Sequence, residues 1–133
     1  VTKEQLRAYR DIRKERDDLK EMIEELEGRM YGPRAQQLDA VPSSNHQPIS
    51  TVEIAAINHA DLLERYWVKV AELDEALAEI EAAIETLQPR ERTLIRLYYA
   101  QGLTWEEVCV EMNYSWRQIH RIHGAALEAL KNI

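Results

Sequence analysis

A chain of 133 residues and 15.5 kDa has room for one compact domain, or for a small domain with an elongated appendage. Its 17 Lys+Arg against 24 Asp+Glu leave a formal charge of −7, which excludes a uniformly basic nucleic-acid coat. Four Gly and four Pro, with 45% hydrophobic and 31% charged residues, exclude a loop-rich β-sandwich and a disordered linker and fit a helix-rich chain.

Residues 2–31 read as one long helix. Leu6, Tyr9, Ile12, Leu19, Ile23, Leu26 and Met30 recur at helical spacing, and no Gly or Pro intervenes before Gly28. At 1.5 Å per residue this rod is about 42–45 Å long. Residues 32–50 carry Pro33, Pro42 and Pro48 around Ser43-Ser44-Asn45 and are expected to form a loop. A second helix is expected over 51–87, where Tyr66, Val70, Leu73, Leu77, Ile80, Ile84 and Leu87 keep a heptad seam. Two rods that each carry one narrow apolar stripe bury it most simply as an antiparallel, coiled-coil-like hairpin, with a homodimer as a further possibility.

Beyond the hairpin, Pro89 suits the first position of a helix running to Ala100, and Gly102 suits the left-handed position that ends it. A short helix over 104–112, a turn at Asn113-Tyr114 and a long helix over 115–131 complete the chain. Four helix starts carry a capping box: Thr2/Gln5, Ser50/Glu53, Thr104/Glu107 and Ser115/Gln118. Each adds an apolar staple: Val1/Leu6, Ile49/Ile54, Leu103/Val108 and Tyr114/Ile119. Two capped helices joined by so short a turn form a helix-turn-helix, whose second helix enters the major groove of DNA. The expected fold is therefore all-α, with a hairpin domain over 1–88 and a DNA-binding domain over 89–133.

Charge follows the same division. Residues 51–88 hold 2 basic and 9 acidic residues, whereas 89–133 hold 6 and 5. On a wheel of the last helix, Ile119, Ile122, Ala126, Leu130 and Ile133 share the face expected to be core. Arg117 and Arg121 lie opposite, one turn apart, and Gly124 permits close approach to a sugar-phosphate wall. Arginine can pair with guanine N7 and O6, and Gln118 has the donor and acceptor for adenine. Ser115 and the helix start offer donors to a phosphate. Trp116 falls nearer the core side and is expected to pack. His123 also leans inward.

Leu87-Gln88-Pro89-Arg90-Glu91-Arg92, Leu97-Tyr98-Tyr99, Gly102 to Val108 and Tyr114-Ser115 through Leu127 resemble region four of bacterial sigma factors. The resemblance covers roughly the last 47 residues, about a third of the chain; the remainder lacks the aromatic-rich region that melts promoter DNA. It implies a three-helix module that reads a promoter element in double-stranded DNA and docks on RNA polymerase. Its base- and phosphate-contacting positions fall on Ser115, Trp116, Arg117, Gln118, His120 and Arg121. Ala125 and Glu128 stand where relatives often carry Lys or Arg, so fewer phosphate contacts are implied. A helix, the Tyr31-Gly32-Pro33-Arg34 break and a second helix before such a tail also resemble phage and prophage late-transcription regulators of the ArpU/RinA type.

Other chemistries find little support. His120 and His123 have no third ligand at zinc-like spacing, so no metal or cofactor is expected. Cys109, beside Val108 and Met112, reads as a small packing residue in a reducing compartment. Glu106 and Glu107 match the helix dipole and do not suggest a catalytic pair. No phosphate-binding glycine loop, HExxH or GxSxG occurs, so no enzyme is expected. No apolar run or leader pattern suggests a membrane span or export, and a bacterial cytoplasm is the expected location. Two alternatives to a DNA-reading regulator remain: a polymerase-binding adaptor without base readout, and a terminase small-subunit-like packaging protein.

Overall fold

The computed structural model describes residues 1–31 and 51–131, and the described residues contain helices and no strand. The 32–50 loop, the Ser50 cap with its Ile49 staple, and Ile133 lie outside the described residues. Helix α1 spans Lys3–Tyr31 and α2 spans Thr51–Ile84; α3 (Pro89–Ile95), α4 (Trp105–Met112) and α5 (Trp116–Lys131) follow. Helix α2 stops three residues short of Leu87. Leu87 instead sits in the following turn, where its N–H bonds the Ile84 carbonyl at 3.0 Å.

The chain divides into two compact units, Val1–Lys14 with Ala71–Ile133, and Glu15–Val70. In the first, Leu6 and Tyr9 of α1 join Leu73, Ile80 and Ile84 of α2 in one apolar cluster. The same cluster takes in Leu94, Ile95, Val108, Ile119, Ile122, Ala126 and Leu130 of the three shorter helices. In the second, Lys69 pairs with Glu15 at 3.0 Å and His59 meets Glu27 at 2.8 Å, so the partners run in opposite order along the two helices. Each unit is therefore built on an antiparallel pair of α1 and α2, with the apolar seam turned inward.

Three capping boxes form as the sequence predicts. The Thr2 N–H donates to Gln5 Oε1 at 2.7 Å and the Gln5 N–H donates to Thr2 Oγ1 at 3.2 Å. Thr104 and Glu107 do the same at 3.1 and 3.2 Å. Ser115 and Gln118 do so at 2.9 and 3.2 Å. Pro89 takes the first helical turn behind Gln88. The helix expected to continue unchanged to Ala100 does not. From Arg96 to Ala100 it widens into a π-helical turn, and the Gln101 N–H reaches back five residues to the Arg96 carbonyl at 2.8 Å. Gly102 follows with φ +75°, the left-handed geometry that favours glycine.

Candidate nucleic-acid interface

Helices α4 and α5 form the helix-turn-helix. The turn depends on Asn113, whose φ of 58° reverses the chain after α4 and whose N–H caps the Cys109 and Val110 carbonyls. Asparagine tolerates this left-handed conformation better than other residues with a Cβ. Tyr114 and Ser115 then open α5. Ile119, Ile122, Ala126 and Leu130 are buried, as the wheel requires. Burial of this stripe leaves the opposite face of α5 free to meet another molecule.

That free face carries the arginines. Arg117 and Arg121 are both exposed, one turn apart, and neither is in an ion pair with another described residue. Gly124 and Glu128 continue the same outward stripe, and a Cβ built at Gly124 would meet nothing within 4 Å. Glu128 leans to Lys131 at 4.0 Å. Ser115 and Gln118 are exposed as well, but their cap commits part of their chemistry. Gln118 Oε1 accepts the Ser115 N–H, which leaves its second lone pair and the amide NH2 for a base. Ser115 Oγ accepts a backbone N–H and keeps its own hydrogen for a phosphate.

One aromatic residue departs from expectation. Trp116, expected to pack, is 52% exposed. It occupies the first turn of α5, where no preceding turn lies behind it, and its ring meets that of His120 at a centroid distance of 4.5 Å. His120 is partly buried between Trp116 and Trp105, whose centroid is 4.9 Å away. Its Nε2 is enclosed without a hydrogen-bond partner among the described residues. His123 packs inward as expected: its Nε2 lies 2.7 Å from the Tyr99 hydroxyl. Burial, reinforced by Lys3, His120 and Arg7, pushes the His123 pKa down to about 4. Burial likewise pushes Tyr99 up to about 12. Both groups are neutral near pH 7 and act in packing. Cys109 is partly buried against the same apolar cluster.

Some features were not legible as contacts. Arg90 is exposed and lines a cleft of about 250 Å³ with Tyr114, Gln118 and Arg121. Arg96, by contrast, is taken up by Glu81 of α2, with Nη2 to Oε2 at 2.7 Å and Nε to Oε1 at 3.0 Å. This bidentate pair lowers the Glu81 pKa and raises that of Arg96. The spacing that placed Pro89-Arg90 at a helix start was the available signal for Arg90; nothing local marked Arg96 as paired.

The site is thus a capped two-helix unit with a buried inner stripe and two outward arginines that pair with no described carboxylate. Residues 83–132 match the family model for Sigma-70, region 4. The region-4 segment therefore comprises the end of α2, α3, the π-turn, α4 and α5. Region 4 is a DNA-binding helix-turn-helix domain. The chain is also similar to the RNA polymerase sigma-D factor of Bacillus subtilis (strain 168), 35% identical over 60 residues. That alignment covers 45% of this chain and 24% of the sigma factor, so the chain spans about a quarter of that relative's length. No solved structure matches the chain significantly. Among the described residues no helix is long and apolar enough to cross a membrane.

Proposed function

We propose that the chain is a sequence-specific, non-enzymatic transcription regulator that reads the DNA major groove with α5. The observation that carries this reading is the pair Arg117 and Arg121, exposed and without ion-pair partners among the described residues, on the outer face of a region-4 helix-turn-helix whose inner face is buried. In the groove, the two guanidinium groups pair with guanine edges, Ser115 donates to a phosphate, and Trp116 lies against a thymine methyl or the backbone. Arg90 adds a charge beside Arg121. Selecting bound fragments from a random DNA pool tests the reading. A recovered consensus supports it, and an unenriched pool contradicts it.

The long α1/α2 pair ahead of a region-4 segment supports a phage or prophage regulator of the ArpU/RinA type, acting in a bacterial cytoplasm. With few cations on α5, a lone head holds DNA weakly, and a second anchor is required: a homodimer or RNA polymerase. A dimer would select two half-sites about 34–36 Å apart, which the same selection reveals.

A second reading, a polymerase-binding adaptor without base readout, draws support from the Glu15–Val70 unit. It holds 11 acidic and 6 basic residues. A groove of about 550 Å³ in it is lined by Leu19, Met22 and Val68 and by the acidic Glu15, Asp18, Asp61 and Glu64, with Arg65 and Lys69 paired to Asp61 and Glu15 among them. Polymerase capture that persists without Arg117 and Arg121, with no DNA fragment retarded, selects this reading.

A further inference from the structure

Helix α5 has few cations beyond its first two turns: below Arg121 its outward stripe runs through Gly124 and Glu128, and Lys131 is the next positive side chain. The positive charge missing there is found on another element. Residues 1–14 hold 5 basic and 2 acidic residues, and they belong to the same compact unit as α5. Lys3 lines a cleft of about 530 Å³ together with Gly124, Leu127, Glu128 and Lys131. Gly124 and Glu128 are members of the stripe that carries Arg117 and Arg121, so Lys3 stands beside that stripe where it loses its own cations. Arg7 lies one turn further along α1 and is exposed. Lys3 and Arg7 both stand close enough to His123 of α5 for their charge to act on it. Neither is in an ion pair with a described carboxylate. Glu4, which lines the same cleft, offsets part of this charge.

We propose that Lys3 and Arg7 of α1 form a phosphate-binding extension of the DNA interface, contacting the backbone of the strand that flanks the Gly124 side of α5. This inference rests on the DNA-binding reading and adds to it a set of contacts outside the region-4 segment. Base edges are left to α5, while α1 contributes the sequence-independent attraction. Charges more than about 8 Å from a phosphate are largely screened at physiological ionic strength, so only cations at the interface affect the number of counterions released.

The test is fluorescence anisotropy of the full chain on a labelled mixed-sequence 30-base-pair duplex, titrated at several salt concentrations. Lys3→Ala and Arg7→Ala are each expected to reduce the slope of log K against log salt by about 1. They should weaken binding alike on every duplex sequence. Lys3→Arg should restore the slope, and Lys20→Ala, in the other unit, should leave it unchanged. Circular dichroism melts matching the parent keep the comparison between folded proteins. Unchanged slopes for Lys3→Ala and Arg7→Ala, with the parent chain binding DNA, overturn this inference alone. A slope reduced equally by Lys20→Ala also overturns it, since net charge would then suffice. A parent chain that binds no duplex at all removes the DNA-binding reading and this one with it.

Discussion

The Arg10 guanidinium holds the backbone at Tyr98. Its Nε donates to the Tyr98 carbonyl at 3.2 Å, its Nη2 donates to the Leu103 carbonyl at 3.2 Å, and the group lies 4.3 Å from the centroid of the Tyr98 ring. Tyr98 in turn stacks on Trp105 at 3.8 Å. The start of α1 thus ties the middle of the π-turn to Leu103, two residues ahead of α4. Charge-assisted bonds to backbone are worth about 1.5–3 kcal/mol each at most, and Arg10→Ala is expected to cost about 2 kcal/mol in urea unfolding. Arg10→Lys should recover less than half, because an ammonium lacks the planar fork that reaches two carbonyls and stacks on a ring.

Gly102 closes the π-turn with φ +75°, and a Cβ there would lie 2.5 Å from Arg13 Nη1. The Arg13 tip can swing away, but the backbone conformation still penalises a side chain. Gly102→Ala should therefore destabilise by about 1–2 kcal/mol, read as a lower urea midpoint. Asn113, at φ 58°, gives the converse check. Asn113→Gly should be neutral or slightly stabilising and Asn113→Val destabilising.

The His123–Tyr99 pair sets a pH dependence at both ends. The folded His123 pKa of about 4 lies below its ordinary 6.5, so stability is intact above pH 6.5 and is lost as pH falls toward 4, where the unfolded chain takes up a proton first. Tyr99, raised to about 12 from 10, contributes stability below pH 10 that is lost as pH rises toward 12. Thermal melts from pH 4 to 7 should show a falling Tm on acidification, with a shallower fall in His123→Gln. An equal fall in that variant would place the titrating group elsewhere.

Gln118 has two demands on one amide. Its Oε1 accepts the Ser115 N–H at 2.9 Å, so Gln118→Ala should lower stability by about 1 kcal/mol, as loss of a cap partner does. If its base contact forms at the expense of the cap, the loss of DNA affinity in that variant will be smaller than for either arginine.

What could be read from the sequence was local. Thr2/Gln5, Thr104/Glu107 and Ser115/Gln118 declare helix starts because both partners of each cap lie within one turn. The inner stripe of α5 is periodic, so the outward position of Arg117 and Arg121 follows from Ile119, Ile122, Ala126 and Leu130. What escaped was set by partners distant in sequence. Nothing near Arg96 marks the Glu81 pair or the wider turn that begins there, and nothing in residues 1–14 ties Arg10 to a carbonyl 88 residues away. Trp116 was misplaced because a wheel treats the first turn of a helix as if a neighbouring element covered it.

The most direct test is the affinity of Arg117→Ala and Arg121→Ala, singly, for a fragment recovered by selection with the parent chain. Loss of a bidentate guanine contact costs about 1–3 kcal/mol, so each variant should bind about 5- to 150-fold more weakly and discriminate less well at one base pair. Parent-like affinity and discrimination in both variants would contradict the assignment of this face to DNA.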